Sequence, residues 1–274
     1  ALFTLIIYAP LAHMTWHPDG LFRNWGVLDF AGGTVVHMSA GFAALAGAIY
    51  LGKRKVQSHE PANIPFIILG TGMLWFGWFG FNAGAEFFAE GMPGVGLIVV
   101  NTLGATSAAI RGWMIIEKLK DGKATAVGAA SGAVTGLVAI TPACANLTPG
   151  WALVLGVVAG VISALAVDLK FKLGYDDSLD VVGIHLVAGM VGTLYLGLFA
   201  TDTGLFTGGD FGQLTVQAIA AFGILAYSFV VALVLGFAIE KTMGFRVTSE
   251  DGVAGIDTVV HGEEGYQLEE DARV

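Results

Sequence analysis

Two histidines, His37 and His185, stand inside long apolar stretches, in "VVHMSAG" and "VVGIHLVAGMVG". A polar side chain is costly at the centre of a bilayer, and one found there commonly marks a pathway for a substrate or a proton. One imidazole nitrogen can donate a hydrogen bond to a second ring while the other nitrogens face a lumen. Such a pair accepts or relays one proton but resists carrying two charges in a low dielectric. A lone buried histidine is equally explained by a hydrogen bond to a neighbouring helix, so the chemistry depends on the two rings meeting.

The composition predicts the elements that must position these rings. Of the 274 residues, 55% are hydrophobic and 13% are charged, and the mean hydropathy is +0.74, whereas soluble domains carry roughly 25% charged residues. With about 20 apolar residues for one crossing, the sequence predicts an all-α polytopic membrane bundle of eight helices. They lie at about residues 1–16 (truncated at its start), 30–51, 64–85, 94–117, 124–142, 150–170, 181–200 and 214–239. Residues 1–239 therefore form the membrane domain, and residues 240–274 form a polar tail.

The basic residues indicate the orientation of this bundle. Most of the 13 lysines and arginines follow the second, fourth and sixth segments or lie in the tail: Lys53, Arg54, Lys55, Lys118, Lys120, Lys123, Lys170, Lys172, Lys241, Arg246 and Arg273. The alternate loops contain only Arg23, and Arg111 lies within the fourth segment. Because cytoplasmic loops are enriched in Lys and Arg, the tail is predicted to be cytoplasmic. No basic patch is available for nucleic acid.

A weak internal repeat links the two histidines. In "VVHMSAGFAALAGAIYLG" and "GIHLVAGMVGTLYLG" a glycine follows the histidine by four residues, and "YLG" comes later. The two segments are five apart in order, and an odd offset gives them opposite orientations. This pattern predicts an inverted five-helix repeat, an arrangement that brings equivalent positions together near the bilayer midplane.

Other residues with possible roles lie near these segments. "GMLWFGWFGFNAGAEF" concentrates aromatic rings, which either pack against neighbours or include one ring that closes a narrow pore. Asp29 precedes the second segment and is predicted to be a helix N-cap. The single cysteine, Cys144, excludes an internal disulfide, and no third ligand accompanies the histidines within the membrane segments. A bound metal or cofactor is therefore not expected.

Several motifs in order resemble the ammonium transporter family (Amt/Mep, related to Rh proteins). They are "LDFAGGTVVHMSAG", "WFGFNAG", "VNT", "SGAVTGLVAITPAC", "DVVGIHLVAGMVG" and "GFRV…GIDTVVHGEEGY", and they cover almost the whole chain. The resemblance implies an eleven-helix fold of which this sequence matches the fourth to the eleventh helix, so the first three helices are expected to be missing. It also implies transport of ammonium or ammonia without enzymatic chemistry, in a multi-pass protein of the cell membrane.

The resemblance also implies roles for matching residues. His37 and His185 match the twin histidines of the conduction path, and Phe81 matches the inner of two stacked gating phenylalanines. Trp16 matches the aromatic residue of the outer recruitment site, and Asp29 matches a structural aspartate near it. Ala85 stands where many bacterial members have a serine that accepts a hydrogen bond, a departure that leaves more of recruitment to Trp16.

The implied partners are two further copies in a homotrimer, membrane lipid and a P-II signalling protein at the tail. Gly255, Asp257, His261 and Gly262 are candidates for a regulatory contact, although a solvated acidic tail explains them equally well. Two alternatives to transport stay open at this point, namely an ammonium sensor that signals through its tail and an Rh-like channel for ammonia or carbon dioxide.

Overall fold

The structure, a computed structural model, describes residues 1–55, 60–88 and 92–263, and within these residues all regular structure is helical. Eleven α-helices, α1 to α11, follow one another in this part of the chain. They are Ala9–Trp16, Leu21–Asn24, Ser39–Leu51, Ile64–Ala83, Val95–Asp121, Ala126–Ile140, Pro149–Ala166, Leu169–Leu173, Ala188–Phe199, Phe211–Thr242 and Ser249–Ala254. Segments of π-helix at Thr4–Tyr8, Gly33–Met38 and Val182–Val187 lead into α1, α3 and α9, and a fourth, Asp257–His261, follows α11.

The predicted membrane bundle is confirmed, with differences in helix length. Six helical stretches of the described residues are long and apolar enough to cross a membrane: Gly33–Leu51, Ile64–Glu86, Val95–Asp121, Pro149–Leu173, Val182–Phe199 and Phe211–Thr242. The fifth predicted segment forms a shorter helix, α6, because it ends at the "TPAC" turn after Ile140. The stretch predicted at 150–170 is interrupted between α7 and α8.

The helix ends follow from local sequence. Asn63, Thr125 and Asp210 accept the N–H groups of Phe66, Gly128 and Gly212 through their side chains and so cap α4, α6 and α10. Side-chain acceptors at these positions satisfy N–H groups that have no partner within the helix. Residues 141–146 form turns after α6, residues 201–208 form turns and a bend after α9, and a backbone hydrogen bond joins Thr201 to Asn146, so α6 and α9 end on the same side of the bundle.

The central packing unit consists of α5, α6 and α7, and α9 lies between this unit and α10. At the α5–α7 contact, a Cβ added to Gly160 would come within 2.3 Å of the carbonyl oxygen of Ala109. Small residues at such crossings let two membrane helices approach closely. The helix pair therefore depends on the absence of a side chain at position 160.

The bundle has two opposite faces with different composition. On one of them, here the basic face, Arg54 contacts Asp176 at 2.8 Å, Lys120 contacts Asp168, and Arg246 contacts the end of α3. The hydrogen bonds to Asp176 raise the pKa of Arg54, which keeps the guanidinium charged at every physiological pH. The predicted clustering of basic loops is thus seen for the described residues, and Arg273 lies outside them.

The other face, here the Asp29 face, is formed by the loops before α3, after α6 and after α9. The N–H of Phe30 donates to the carbonyl oxygen of Pro142 at 3.0 Å, and the N–H of Thr201 donates to that of Asn146 at 2.8 Å. These backbone hydrogen bonds join three separate loops into one surface.

Replacing Gly160 by alanine should destabilise the bundle by roughly 1–3 kcal/mol, because a backbone carbonyl must move to admit the methyl group. The matched control is Gly223→Ala in α10, where no atom lies within 4 Å of the added Cβ and alanine improves helix propensity. Thermal unfolding midpoints in detergent measure the difference. Equal midpoints for the two variants would show that the α5–α7 crossing tolerates the extra carbon.

Candidate functional site

The structure brings the two sequence-predicted histidines together. The Nδ1 atoms of His37 and His185, 148 positions apart in the chain, lie 3.3 Å from each other. The ring centroids are 5.4 Å apart with an interplanar angle of 33°. At this distance the two nitrogens share one hydrogen bond, so one ring donates and the other accepts. His37 is buried, with 4% of its surface exposed, and His185 is half-buried.

The second ring nitrogen of His37, Nε2, is buried and has no hydrogen-bond partner among the described residues. A buried polar atom without a partner costs free energy, which the structure leaves uncompensated here. The arrangement therefore offers one nitrogen to a small molecule that can donate or accept a hydrogen bond.

Both histidines lie in π-helical turns. Gly33–Met38 contains His37, and Val182–Val187 contains His185. The N–H of His37 donates to the carbonyl oxygen of Gly32, five residues earlier, at 3.1 Å. Such π turns are rare and frequently occur at functional sites. The sequence periodicity contains no signal for these π turns, although the helical stretches that include them begin at Gly33 and Val182, close to the predicted starts at 30 and 181.

A close crossing of the two helical stretches permits the ring contact. A Cβ on Gly41 would lie 2.5 Å from the Cβ of Leu186, so the helix carrying His37 passes directly against the one carrying His185. Gly41 lies against Leu186 and Gly189 lies against Gly33, so the two stretches run in opposite directions. Each supplies its histidine from its own first turns.

Asp29 fixes the start of the stretch that carries His37. Its buried carboxylate accepts the N–H groups of Gly32, Gly33 and Thr34 at 2.9, 2.6 and 2.9 Å and also accepts the Thr34 hydroxyl. The first N–H groups of a helix have no partner within it, and a carboxylate at this end is favoured by the helix dipole. Asp29 is therefore a structural cap, and both of its carboxylate oxygens accept hydrogen bonds from backbone N–H groups.

Two aromatic residues of α4 stand beside His37. The Trp78 ring stacks on the His37 ring, with centroids 5.3 Å apart and an angle of 19°, and its Nε1–H donates to the Thr141 hydroxyl at 2.9 Å. The Phe81 ring lies 6.3 Å from His37 and 5.6 Å from Trp78 and is 44% exposed. Sequence reasoning did not single out Trp78, although residues three apart share one face of a helix and Phe81 was a candidate.

Trp16 and Ala85 occupy the periphery of this site. The Trp16 Nε1–H donates to the carbonyl oxygen of Asp29 at 2.8 Å. In the part of the chain that the structure describes, no ring contact joins Trp16 to His37, His185 or Phe81. Ala85 lies in a short 3-10 segment, Gly84–Phe88, about one turn after Phe81.

The tail candidates lie on the far side of the bundle. Gly255 ends α11 with a φ of 102°, and Gly262 ends the π-helical segment Asp257–His261 with a φ of 74°. Asp257, His261 and Gly262 are exposed. The hydrogen bonds from the tail to the membrane helices, among described residues, come from Arg246 to the carbonyl oxygens of Gly52 and Lys53 at 3.2 and 2.9 Å and to that of Leu51. Residues 264–274 of the predicted tail are outside the described residues.

Replacing Asp29 by alanine should cost at least about 2 kcal/mol, since three buried N–H groups lose their acceptor. The control is Asp210→Ala, which removes an exposed cap that accepts from Gly212 at 2.7 Å and should cost about 1 kcal/mol or less. Thermal unfolding in detergent, with amide hydrogen exchange at Gly33 and Thr34, measures both. The assignment of Asp29 as a structural cap would be contradicted if the Asp29→Ala protein were as stable as the Asp210→Ala protein and amide exchange at Gly33 and Thr34 were unchanged.

Comparisons with known proteins agree with this architecture. The family model described as "Ammonium Transporter Family" matches residues 1–266. An ammonium transporter of Mycobacterium bovis is 48% identical over 290 residues, which cover 97% of this chain and 60% of the relative. One of Aquifex aeolicus is 42% identical, covering 97% of this chain and 63% of the relative. This chain thus spans about three fifths of the length of these relatives.

Solved structures show the same fold. Candida albicans Mep2 superposes with a TM-score of 0.83 at 33% identity, covering 91% of this chain and 59% of that one. A structure described as a sensor Amt protein gives a TM-score of 0.84 at 30% identity, covering 93% and 67%. With a family model that matches nearly every residue and relatives of this similarity, the chain belongs to the ammonium transporter family.

Proposed function

We propose that this chain forms the conducting part of a membrane protein that transports ammonium or ammonia, with His37 and His185 lining the path. The observation that carries the proposal is the Nδ1–Nδ1 contact of 3.3 Å between two histidines inside apolar helices, with the buried Nε2 of His37 left unpartnered. Ammonia is small and both donates and accepts hydrogen bonds, so it matches a neutral imidazole nitrogen.

Ammonium is recruited at the Asp29 face, which the proposal assigns to the outside. Trp16 lies there, held by the Asp29 carbonyl, and an aromatic face attracts a cation that has lost part of its hydration. Ala85 supplies no hydroxyl, so recruitment depends on the aromatic side chain.

The cation loses its proton before it reaches the histidines, because a bare charge among apolar helices is too costly. Phe81, partly exposed and 6.3 Å from His37, separates the recruitment side from the pair. Ammonia then passes His37 and His185, and the proton either returns outside or moves along the two rings. The pair suits the relay because it holds one shared hydrogen bond and accommodates a single added charge.

The basic face is assigned to the cytoplasm. Lys53, Arg54, Lys120 and Lys170 lie there with the tail, as the enrichment of cytoplasmic loops in basic residues requires. The assembly is proposed to be a homotrimer in the cell membrane, in contact with lipid through exposed apolar side chains such as Met73 and Phe76 of α4, which are 67% and 81% exposed. The tail, with Gly255, Asp257, His261 and Gly262, is proposed to regulate transport, through a P-II signalling protein.

Removal of the Arg246 side chain should release the tail from α3, because its guanidinium holds the carbonyl oxygens that end that helix. We expect Arg246→Ala to speed proteolytic cleavage in residues 243–263 by roughly threefold or more. Lys241→Ala, which removes a lysine over the Phe237 ring, is the matched control. Equal cleavage rates in the two variants would exclude Arg246 as the anchor of the tail.

The proposed function is tested by methylammonium uptake and current in liposomes that contain the full chain. Replacing both His37 and His185 by alanine should reduce methylammonium-linked current to the level of empty liposomes, because no ring remains to accept a proton. His13→Ala, which changes an exposed histidine outside the pair, should keep the wild-type current.

The same experiment separates the alternatives. Unchanged saturable current in the double variant contradicts the relay role of the pair. Binding of methylammonium without any flux in the wild type favours a sensor, a function that the shared fold with a sensor Amt protein makes worth testing. Flux that is neither saturable nor accompanied by current favours an Rh-like gas channel.

A further inference from the structure

Gln217 is fully buried in the second turn of α10, and its side-chain amide is completely hydrogen-bonded. Its Oε1 accepts the Leu28 N–H at 2.7 Å, and its Nε2 donates to the Leu28 carbonyl oxygen at 2.9 Å. Nε2 also donates to the Thr193 carbonyl oxygen at 3.0 Å, and Oε1 accepts from the Gln213 side chain at 3.2 Å. One side chain thus joins three elements: the loop before α3, α9 and α10.

The cost of burying this amide explains why the Gln217 side chain is held in one position relative to the Leu28 peptide. A primary amide in an apolar interior is unfavourable unless its donors and acceptors are satisfied, and polar side chains between membrane helices commonly link them. Here both polar groups of the Leu28 peptide pair with one side chain. Movement of Leu28 would leave the amide and the peptide without partners at the same time.

Leu28 directly precedes Asp29, which makes this link relevant to the site. The Asp29 carbonyl oxygen accepts the Trp16 Nε1–H, and the Asp29 carboxylate caps the stretch that carries His37. Thr193 lies on α9, in the same helical stretch as His185. Gln217 therefore links the Asp29 face, where Trp16 lies, to the helix that carries His185.

We propose that Gln217 is a positioning residue for the ammonium recruitment site and that it sets apparent affinity. The inference rests on the proposed function, because it concerns the same transport path. Among the described residues Gln217 forms no hydrogen bond to His37 or His185, whose rings meet through the separate crossing of Gly41 and Leu186. Loss of the amide should therefore displace Trp16 and Asp29 while the histidine contact persists.

The test compares Gln217→Met, which keeps the side-chain length and removes every hydrogen bond, with wild type in the full chain. We expect the KM for methylammonium uptake to rise about tenfold, the factor that corresponds to 1.4 kcal/mol of lost interaction. The maximal rate should stay within about twofold, and amide hydrogen exchange at Leu28 should accelerate because its N–H loses its acceptor. Thr215→Ala, which removes an exposed hydroxyl that donates within α10 to the carbonyl oxygen of Phe211 at 2.8 Å, is the matched control and should leave both kinetic constants unchanged.

Gln217→Glu provides a second variant if Gln217→Met fails to fold. A protonated glutamic acid retains one acceptor and one donor for the Leu28 peptide and loses the donor to Thr193, so its KM should lie between those of wild type and Gln217→Met. Faster Leu28 exchange with an unchanged KM would overturn the proposal, and so would a fall in maximal rate with an unchanged KM. A wild-type chain without saturable uptake would instead overturn the proposed function, a result that the wild-type measurement alone reveals.

Discussion

The contact between His37 and His185 is the constraint on which the other features of this bundle depend. Two imidazoles meet at 3.3 Å among helices that are otherwise apolar. Polar rings at that depth are tolerated when each finds a partner, and here each ring is the other's partner. For that to happen, two helical stretches of opposite direction must cross closely, and each must present its histidine within its first turns.

Polar side chains outside the pair hold the segments that lead into this crossing. Asp29 holds the first turn of the stretch with His37, and Gln217 ties the preceding residue to α9 and α10. Trp78 stacks on His37 and is itself held by the Thr141 hydroxyl. Each of these groups forms its hydrogen bonds within the protein, whereas the Nε2 atom of His37 has no hydrogen-bond partner among the described residues. In the proposed transport path, this nitrogen is the atom that a small molecule would contact, and the occupied groups around it are structural.

Much of this arrangement follows from the sequence, because the relevant signals are local or periodic. Apolar runs of about 20 residues predict the spans, and the odd offset between the two histidine segments predicts that they run in opposite directions. The capping role of Asp29 is readable from its place just before an apolar run, although it lies three residues before the N-cap, Gly32. The length of α6 was less predictable, since the turn after Ile140 ends the helix through contacts with the loop of Phe30.

The remaining features depend on contacts between distant residues and have no local signal. Gln217 lies in a segment that reads as a simple apolar span, and its role exists only because Leu28, 189 residues earlier, is beside it. Trp78 is one of several rings in its helix, and only the fold shows which one faces His37. The π turns are equally hidden, because the sequence has the same apolar character whether the backbone hydrogen bonds join residues four or five positions apart.

The most direct test of the account is the hydrogen bond between the two rings. Solid-state NMR of the full chain in lipid, with ¹⁵N-labelled histidine, should detect a through-bond coupling between one pair of Nδ1 atoms, and this coupling should vanish in His185→Ala. Two histidines whose Nδ1 atoms show no mutual coupling in the wild-type protein would contradict the central claim, because the rings would then not form the shared site from which the proposed transport path is built.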